Sequence, residues 1–207
     1  MRYNHTFFSL LLVTLLVTSC SANKLLFSWT DKSLDQYRLR KILVIGVAKD
    51  ETKRRIYEDT FVSSLTKIEV PAVPSYTVSK EAIKPSTEGL QEIIKRSEAG
   101  AVLITHLVGK NEEDALPPSL GLNAINTRFP YGLYGYYPVI YHAVYSIGNY
   151  SDNTKVVLET NLYDVRTEKL IWSARSQSID PVMTRKYYQQ LINLFLSDLE
   201  KQNIIFP

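Results

Sequence analysis

The alternation of apolar and polar positions marks out a short leader and one longer folding unit. Ile42-Leu43-Val44-Ile45-Gly46-Val47 is a continuous aliphatic run. A run this short suits a strand buried on both faces. Asp50 then offers an N-cap. Ile56, Tyr57, Phe61 and Leu65 recur at helical spacing, with Lys53, Arg54, Glu58 and Asp59 on the other side. That spacing predicts an amphipathic helix over 51–66. Val70 to Val78 is β-rich but contains Pro71 and Pro74. Proline cannot donate to a ladder, so this is an edge strand or an irregular extended segment. After Pro85, Leu90, Ile93 and Ile94 mark a second helix, Glu92 and Arg96 pair at i,i+4, and Gly100 stands where a C′ residue belongs. Ala101 to Val108 predicts a third strand.

Residues 109–128 read as a long loop with Pro117, Pro118 and Gly121, and residues 129–150 are rich in tyrosine. Thr154 to Val165 alternates, with Val156, Leu158, Thr160 and Leu162 on one face. Lys169 to Ser178 alternates as well, with Leu170, Trp172 and Ala174 on one face. A short turn at Val165–Glu168 joins the two as an antiparallel hairpin. Asp180-Pro181 predicts a helix start, and Tyr188, Leu191, Ile192, Phe195 and Leu199 form its buried stripe. The order β-α-β-α-β, then a hairpin and a C-terminal helix, predicts an α/β fold of α+β character around a mixed sheet. No internal repeat or Pro/Gly linker divides it.

The amino terminus follows a different pattern. Arg2 precedes an apolar run from Phe7 to Val17 broken only by Ser9 and Thr14. The run is shorter than the ~20 residues a bilayer requires and has the length of a signal-peptide core. It ends in Leu16-Val17-Thr18-Ser19-Cys20. This sequence resembles the bacterial lipobox, which implies cleavage between Ser19 and Cys20, a diacylglycerol thioether on Cys20 and a further acyl chain such as palmitate on the new amino terminus. Two or three chains give stable anchoring where one does not. By resemblance to the enterobacterial lipoprotein sorting rule, Ser21 in place of aspartate implies the outer membrane. The expected organisation is a lipoprotein signal peptide over 1–19, a tether over 20–40 that starts to pack near Phe27 and Trp29, and one α/β domain over 41–207. A loop and tyrosine-rich insertion occupies 109–150.

Composition narrows the chemistry. The net charge of +3 includes Arg2 of the leader, so no basic stripe argues for nucleic acid. A lone cysteine excludes an intramolecular disulfide and cysteine-cluster metal sites. With His5 in the leader, the mature chain holds His106 and His142. His106 lies in an apolar strand and reads as a satisfied core or sheet-face histidine. No Gly-x-Ser-x-Gly elbow, dinucleotide loop or phosphate loop is present. Asp50-Glu51, Glu58-Asp59 and Glu112-Glu113-Asp114 read as solvated surface charge. No catalytic residue, metal ligand or cofactor is expected. Of the 14 tyrosines, Tyr131, Tyr134, Tyr136, Tyr137 and Tyr141 stand in a stretch that Gly132, Gly135 and Pro138 make loop-like. They are the candidate partner-binding residues. The alternation of Tyr141, Ala143 and Tyr145 also fits a strand whose rings cover the sheet.

Leu162-Tyr163-Asp164, Thr167-Glu168-Lys169-Leu170 and Trp172 resemble a hairpin motif common in bacterial envelope lipoproteins. The strand from Lys41 and the helix with Arg55, Tyr57, Glu58 and Phe61 resemble the first βα unit of the same proteins. Their architecture is similar to the amino-terminal domain of TolB, to lipoproteins that activate peptidoglycan synthases, and to CsgG. Glu168 occupies the usual turn glycine, at a cost on the order of 1 kcal/mol if that position requires positive φ.

Three functions follow as expectations, in order. The first is a non-enzymatic lipoprotein, bound to the membrane through Cys20, whose domain binds an envelope protein or cell-wall component. The second is an oligomeric subunit of a secretion or assembly machine. The third is an envelope hydrolase, which needs His106 or His142 in a cleft beside an acid or nucleophile.

Overall fold

Strands Ile42–Val47 (β2) and Ala101–Gly109 (β4) run parallel at the centre of the sheet, in register from Ile42 opposite Ala101 to Val47 opposite His106. The computed structural model describes residues 23–33, 41–79, 85–109, 132–146, 155–179 and 181–205. The continuous aliphatic runs take central positions because both faces are covered by helices, and every residue of β2 is buried. Around them lies one six-stranded mixed sheet. Ala72–Pro74 (β3) is the edge beside β2, parallel to it. Lys155–Asp164 (β5) and Leu170–Ile179 (β6) form the hairpin, and β5 pairs antiparallel with β4. Lys24–Thr30 (β1) closes the far edge antiparallel to β6.

The helices divide between the two faces. Helix α1 (Glu51–Lys67) and helix α5 (Arg185–Lys201) share one face. Their Tyr57, Phe61, Leu65, Leu191, Phe195 and Leu199 pack on Ile42, Val44, Leu103, Leu162 and Trp172. Phe61 stacks on Phe195 with centroids 6.5 Å apart. Helix α3 (Thr87–Ser97) and helix α4 (Gly132–Ser146) cover the other face. There Leu90, Ile93, Ile94, Tyr136, Tyr137 and Ile140 meet Leu43, Ile45, Val102, Ile104 and Tyr163. Between β3 and α3 comes α2, a single turn at Ser75–Val78. No helix of the described residues is long and apolar enough to cross a membrane.

Four local expectations change. Residues 24–30 of the expected tether form a strand, because the mixed run Lys24-Leu25-Leu26-Phe27 needs only one partner, β6, and does not have to alternate cleanly at an edge. The described part of the tyrosine segment is neither loop nor strand but α4, with Pro138 inside the helix. Its apolar positions Leu133, Tyr136, Tyr137, Ile140 and Val144 fall at helical spacing, and that periodicity outweighed the local glycine and proline signals. Helix α5 starts later than Asp180-Pro181 suggested: Thr184 is the N-cap, its side chain accepting from the Tyr187 amide. Asp180 lies outside the described residues, as do residues 110–131 of the expected loop and tyrosine-rich insertion. At the end of α3, Glu98 (φ 54°), not Gly100, takes the left-handed position.

The hairpin carries a bulge. Leu162 opposes Trp172 while Tyr163 opposes Leu170, so Ile171 is the extra residue, and Ile171 and Trp172 both reach the core on the α1/α5 face. The turn is held by Asp164, whose carboxylate accepts from the Thr167 amide at 2.6 Å and hydroxyl at 2.7 Å. Glu168 does take positive φ, at 59°. Gly132 (φ 57°) packs against it so closely that a Cβ would lie 3.0 Å from the Glu168 carbonyl oxygen.

Candidate functional site

The chain leaves β2 on one face of the sheet, through α1, toward β3 at the edge. It leaves β4 in the opposite sense, toward α4 and β5. Adjacent parallel strands whose onward connections diverge leave a crevice beyond their carboxyl ends, the usual place for ligands in open α/β sheets. A cavity of about 330 Å³ lies there. Tyr57, Tyr188, Val144, Leu158 and Met183 give it an aromatic and aliphatic wall, and Lys49, Asp50, Lys53 and Arg54 contribute charge.

The walls are built by local chemistry. Asp50 caps α1 by accepting from the Lys53 amide at 3.0 Å, and Lys53 returns an ion pair at 3.3 Å. One turn on, Arg54 is 15% exposed and pairs with Glu51 at 3.5 Å. Its Nε is buried without a hydrogen-bond partner. Gly46 permits this approach, since a Cβ there would lie 3.2 Å from Arg54 Cγ. The Tyr57 hydroxyl bonds Thr105 Oγ1 at 2.6 Å, and Thr105 continues to Thr160 Oγ1 at 2.9 Å. Burial pushes the Tyr57 phenol well up, so it stays protonated. Tyr57 meets Tyr188 edge-on at 5.5 Å.

Beneath the cavity, Glu58 overturns its reading as surface charge: it is fully buried. Its carboxylate accepts from the Gly46 amide at 2.9 Å, the Ser75 hydroxyl at 2.7 Å and the Tyr76 amide at 3.2 Å. It ties the ends of β2 and β3 to α1. Burial holds its pKa above the usual carboxylate range despite these donors.

A second buried network begins at the cavity wall with His106. Its neighbour across the strands is Glu159. Glu159 pairs with Arg175 at 2.7 Å and accepts from Asn161 Nδ2 at 3.0 Å and the Tyr136 hydroxyl at 3.1 Å. Tyr136 lies 3.5 Å from His106 Nδ1. Burial opposes ionisation of Glu159, but the charge of Arg175 and the donated hydrogen bonds outweigh it, and its pKa falls below the usual range. Burial lowers the pKa of His106, which leaves the imidazole neutral at pH 7 and Arg175 as the cation that holds Glu159 ionised.

No protein-family model matches the chain, and no curated protein matches it. Two solved structures of PelC from Paraburkholderia phytofirmans, both dodecamers, are similar to it. One, a point variant, gives a TM-score of 0.42 at 11% identity, covering 86% of this chain and 98% of that one. The other gives 0.45 at 11% identity, covering 85% and 96%. Likeness at this level bears on neither function nor assembly.

The candidate tyrosines scatter. Tyr136 and Tyr137 are 3% and 2% exposed and belong to the core. Tyr134 and Tyr141 are half-buried and pack against the same cluster. Tyr131 lies outside the described residues, as do Cys20 and the Ser19–Cys20 junction. Tyr145, which stacks on Tyr141 at 4.2 Å and donates to the Ala48 carbonyl at 3.2 Å, is the exposed member. His142 is exposed on α4. The residues that sequence reasoning passed over are Arg54, Tyr57, Met183 and Tyr188. Their signal was the place of Arg54 and Tyr57 in the first two turns of the helix after the first buried strand. Among the described residues no cluster of three or more His, Cys, Asp or Glu could hold a metal ion.

Proposed function

We propose that the chain is a membrane-anchored lipoprotein of the bacterial outer membrane that works by binding. The cavity beyond β2 and β4 receives part of another envelope component. The cavity is the observation that carries the reading: apolar walls suit an aromatic or aliphatic group, and the Arg54 guanidinium at its wall suits an anionic one. The aliphatic hydroxyl in the wall, on Thr105, is engaged with Tyr57 and Thr160. Glu159 is engaged with Arg175, Asn161 and Tyr136. The arrangement therefore favours holding a group over attacking one. The anchor is supported by the lipobox-like Leu16-Val17-Thr18-Ser19-Cys20.

Crosslinking in intact cells followed by mass spectrometry tests this. Arg54→Gln should lower partner yield at least about fivefold, the loss of one charge-assisted contact, with unchanged protein abundance. Equal yield from Arg54→Gln, or crosslinks confined to the Val165–Thr167 turn at the far end of the sheet, would refute it.

A second reading, assembly into an oligomer, draws on β1. It is a seven-residue edge strand without proline, whose outer side meets no strand among the described residues. Light scattering on the purified protein that shows only a monomer at high concentration would remove it.

A further inference from the structure

Strand directions place the anchor and the cavity at one end of the sheet. Both β4 and β6 run antiparallel to β5, and β1 runs antiparallel to β6. Lys24, where β1 begins, and Ile179, where β6 finishes, therefore lie at the end where β2 and β4 also finish. Asn23 is fixed to that end, its side-chain oxygen accepting from the Ser178 hydroxyl at 2.6 Å. Only Ser21 and Ala22 separate Asn23 from Cys20, a span of at most about 10 Å. Granted the lipid-anchored reading, on which this inference rests, that end faces the bilayer at about one Debye length. The Val165–Thr167 turn points away.

The side chains there suit such a neighbour. Lys24 and Lys155 are exposed, Lys155 directly opposite Ile179, which is 49% exposed. Val182, at 73%, is the most exposed large aliphatic residue described. Arg185 and Lys186 follow it, exposed, in the first turn of α5, which contains no acid. Cations at a helix amino terminus oppose the helix dipole, so helix stability does not account for them. Exposed aliphatics ringed by cations are the pattern of interfacial anchors on anionic membranes.

We propose that this end of the domain docks on anionic phospholipid headgroups, with Lys24, Lys155, Arg185 and Lys186 on the phosphates and Ile179 and Val182 at the interface. The cavity opens at the same end, so its occupant is met at the bilayer surface.

The full lipidated chain in vesicles provides the test. With Cys20 acylated, Val182→Cys or Glu200→Cys supplies a single thiol for a spin label, the latter exposed in the last turn of α5 at the opposite end. In phosphatidylcholine vesicles containing phosphatidylglycerol, the label at 182 should be shielded from an aqueous relaxation agent at least about fivefold more than the label at 200. Combining Val182→Cys with Lys24→Gln, Lys155→Gln, Arg185→Gln and Lys186→Gln should abolish that difference while the protein still floats with the vesicles. Floating protein whose two labels are equally accessible overturns the docking and leaves the anchor standing. Equal shielding in pure phosphatidylcholine overturns the role of charge. Protein with an unmodified Cys20 that fails to float overturns the anchor, and the docking with it.

Discussion

The Tyr136 hydroxyl donates to the Glu159 carboxylate at 3.1 Å, joining α4 to the centre of the sheet in a buried place where Asn161 Nδ2 also reaches the phenol at 2.7 Å. Tyr136 is thereby a structural residue of the core. Tyr136→Phe removes the hydroxyl and keeps the ring. It should cost about 1–2 kcal/mol, because Glu159 loses a donor and Asn161 an acceptor in a buried site. Replacing Tyr134, Tyr136 and Tyr137 together with serine should unfold the domain. The two buried rings alone are worth roughly 3–5 kcal/mol each, against a total of ~5–15 kcal/mol. Denaturant titration checks both. A triple variant that keeps its unfolding midpoint would return these rings to a surface role.

The network gives stability a pH dependence of defined sign. His106 has a lowered pKa through burial, reinforced by Arg175 and opposed by Glu159. The unfolded chain therefore takes up this proton more readily than the folded one. The stabilising contribution is complete above the ordinary value of 6.5 and is lost as pH falls from there toward the lowered folded pKa, at no more than about 1.4 kcal/mol per pH unit. Glu159, also lowered, adds a second loss below its ordinary 4.5. Glu58, raised by burial, works in the opposite direction over the acid range. The His106 part is isolated by comparing the protein with His106→Gln, which cannot titrate. The stability gap between them should change in the variant's favour between about pH 7 and pH 5. A constant gap would show that His106 does not titrate differently on unfolding.

The central strands, the hairpin and α1 were legible because each carries its own period: a continuous apolar run, alternation, and helical spacing. Ile42–Val47, Ala101–Gly109, the β5–β6 hairpin and α1 lie within a residue or two of their expected positions. Helix α4 was not, because glycine, proline and tyrosine are weak helix formers, and only packing against Ile45, Ile104 and Tyr163 makes the segment helical. Glu58 was misread for a related reason. Its helix face is polar in sequence, yet the ends of β2 and β3 supply three donors that let a carboxylate be buried. The cavity had no local signature, since it depends on which way the chain turns after β2 and after β4.

Glu168 offers a stabilising change. It holds φ at 59° in the hairpin turn, a region that disfavours a side chain with a Cβ. Its carbonyl accepts from the Leu133 amide at 3.1 Å, a backbone contact that any residue can make. Glu168→Gly should raise stability by up to ~1 kcal/mol and the melting temperature by about 2–4 °C. An unchanged or lower melting temperature would mean that the Glu168 side chain contributes more against α4 than the backbone strain costs.

Asp198 is the point where the edge strand is tied down. One carboxylate oxygen accepts from the Trp172 indole at 2.7 Å and the other from the Ser28 hydroxyl at 3.0 Å, so one side chain of α5 holds β6 and β1 together. Trp172 has no exposed surface and packs edge-on against Phe195 at 5.9 Å. Asp198→Ala leaves the indole N–H buried without an acceptor and should cost about 2–3 kcal/mol, a charged acceptor being worth more than a neutral one. Asp198→Asn keeps one acceptor oxygen and should recover about half. Because, among the described residues, β6 is the one strand that β1 pairs with, the loss should concentrate there. Amide exchange in Lys24–Thr30 should accelerate more than in Ile42–Val47, since edge elements open well below the global unfolding free energy. Uniform acceleration across both strands would instead show that β1 unfolds only with the core. In that case β1 is an integral part of the domain and not a hinge.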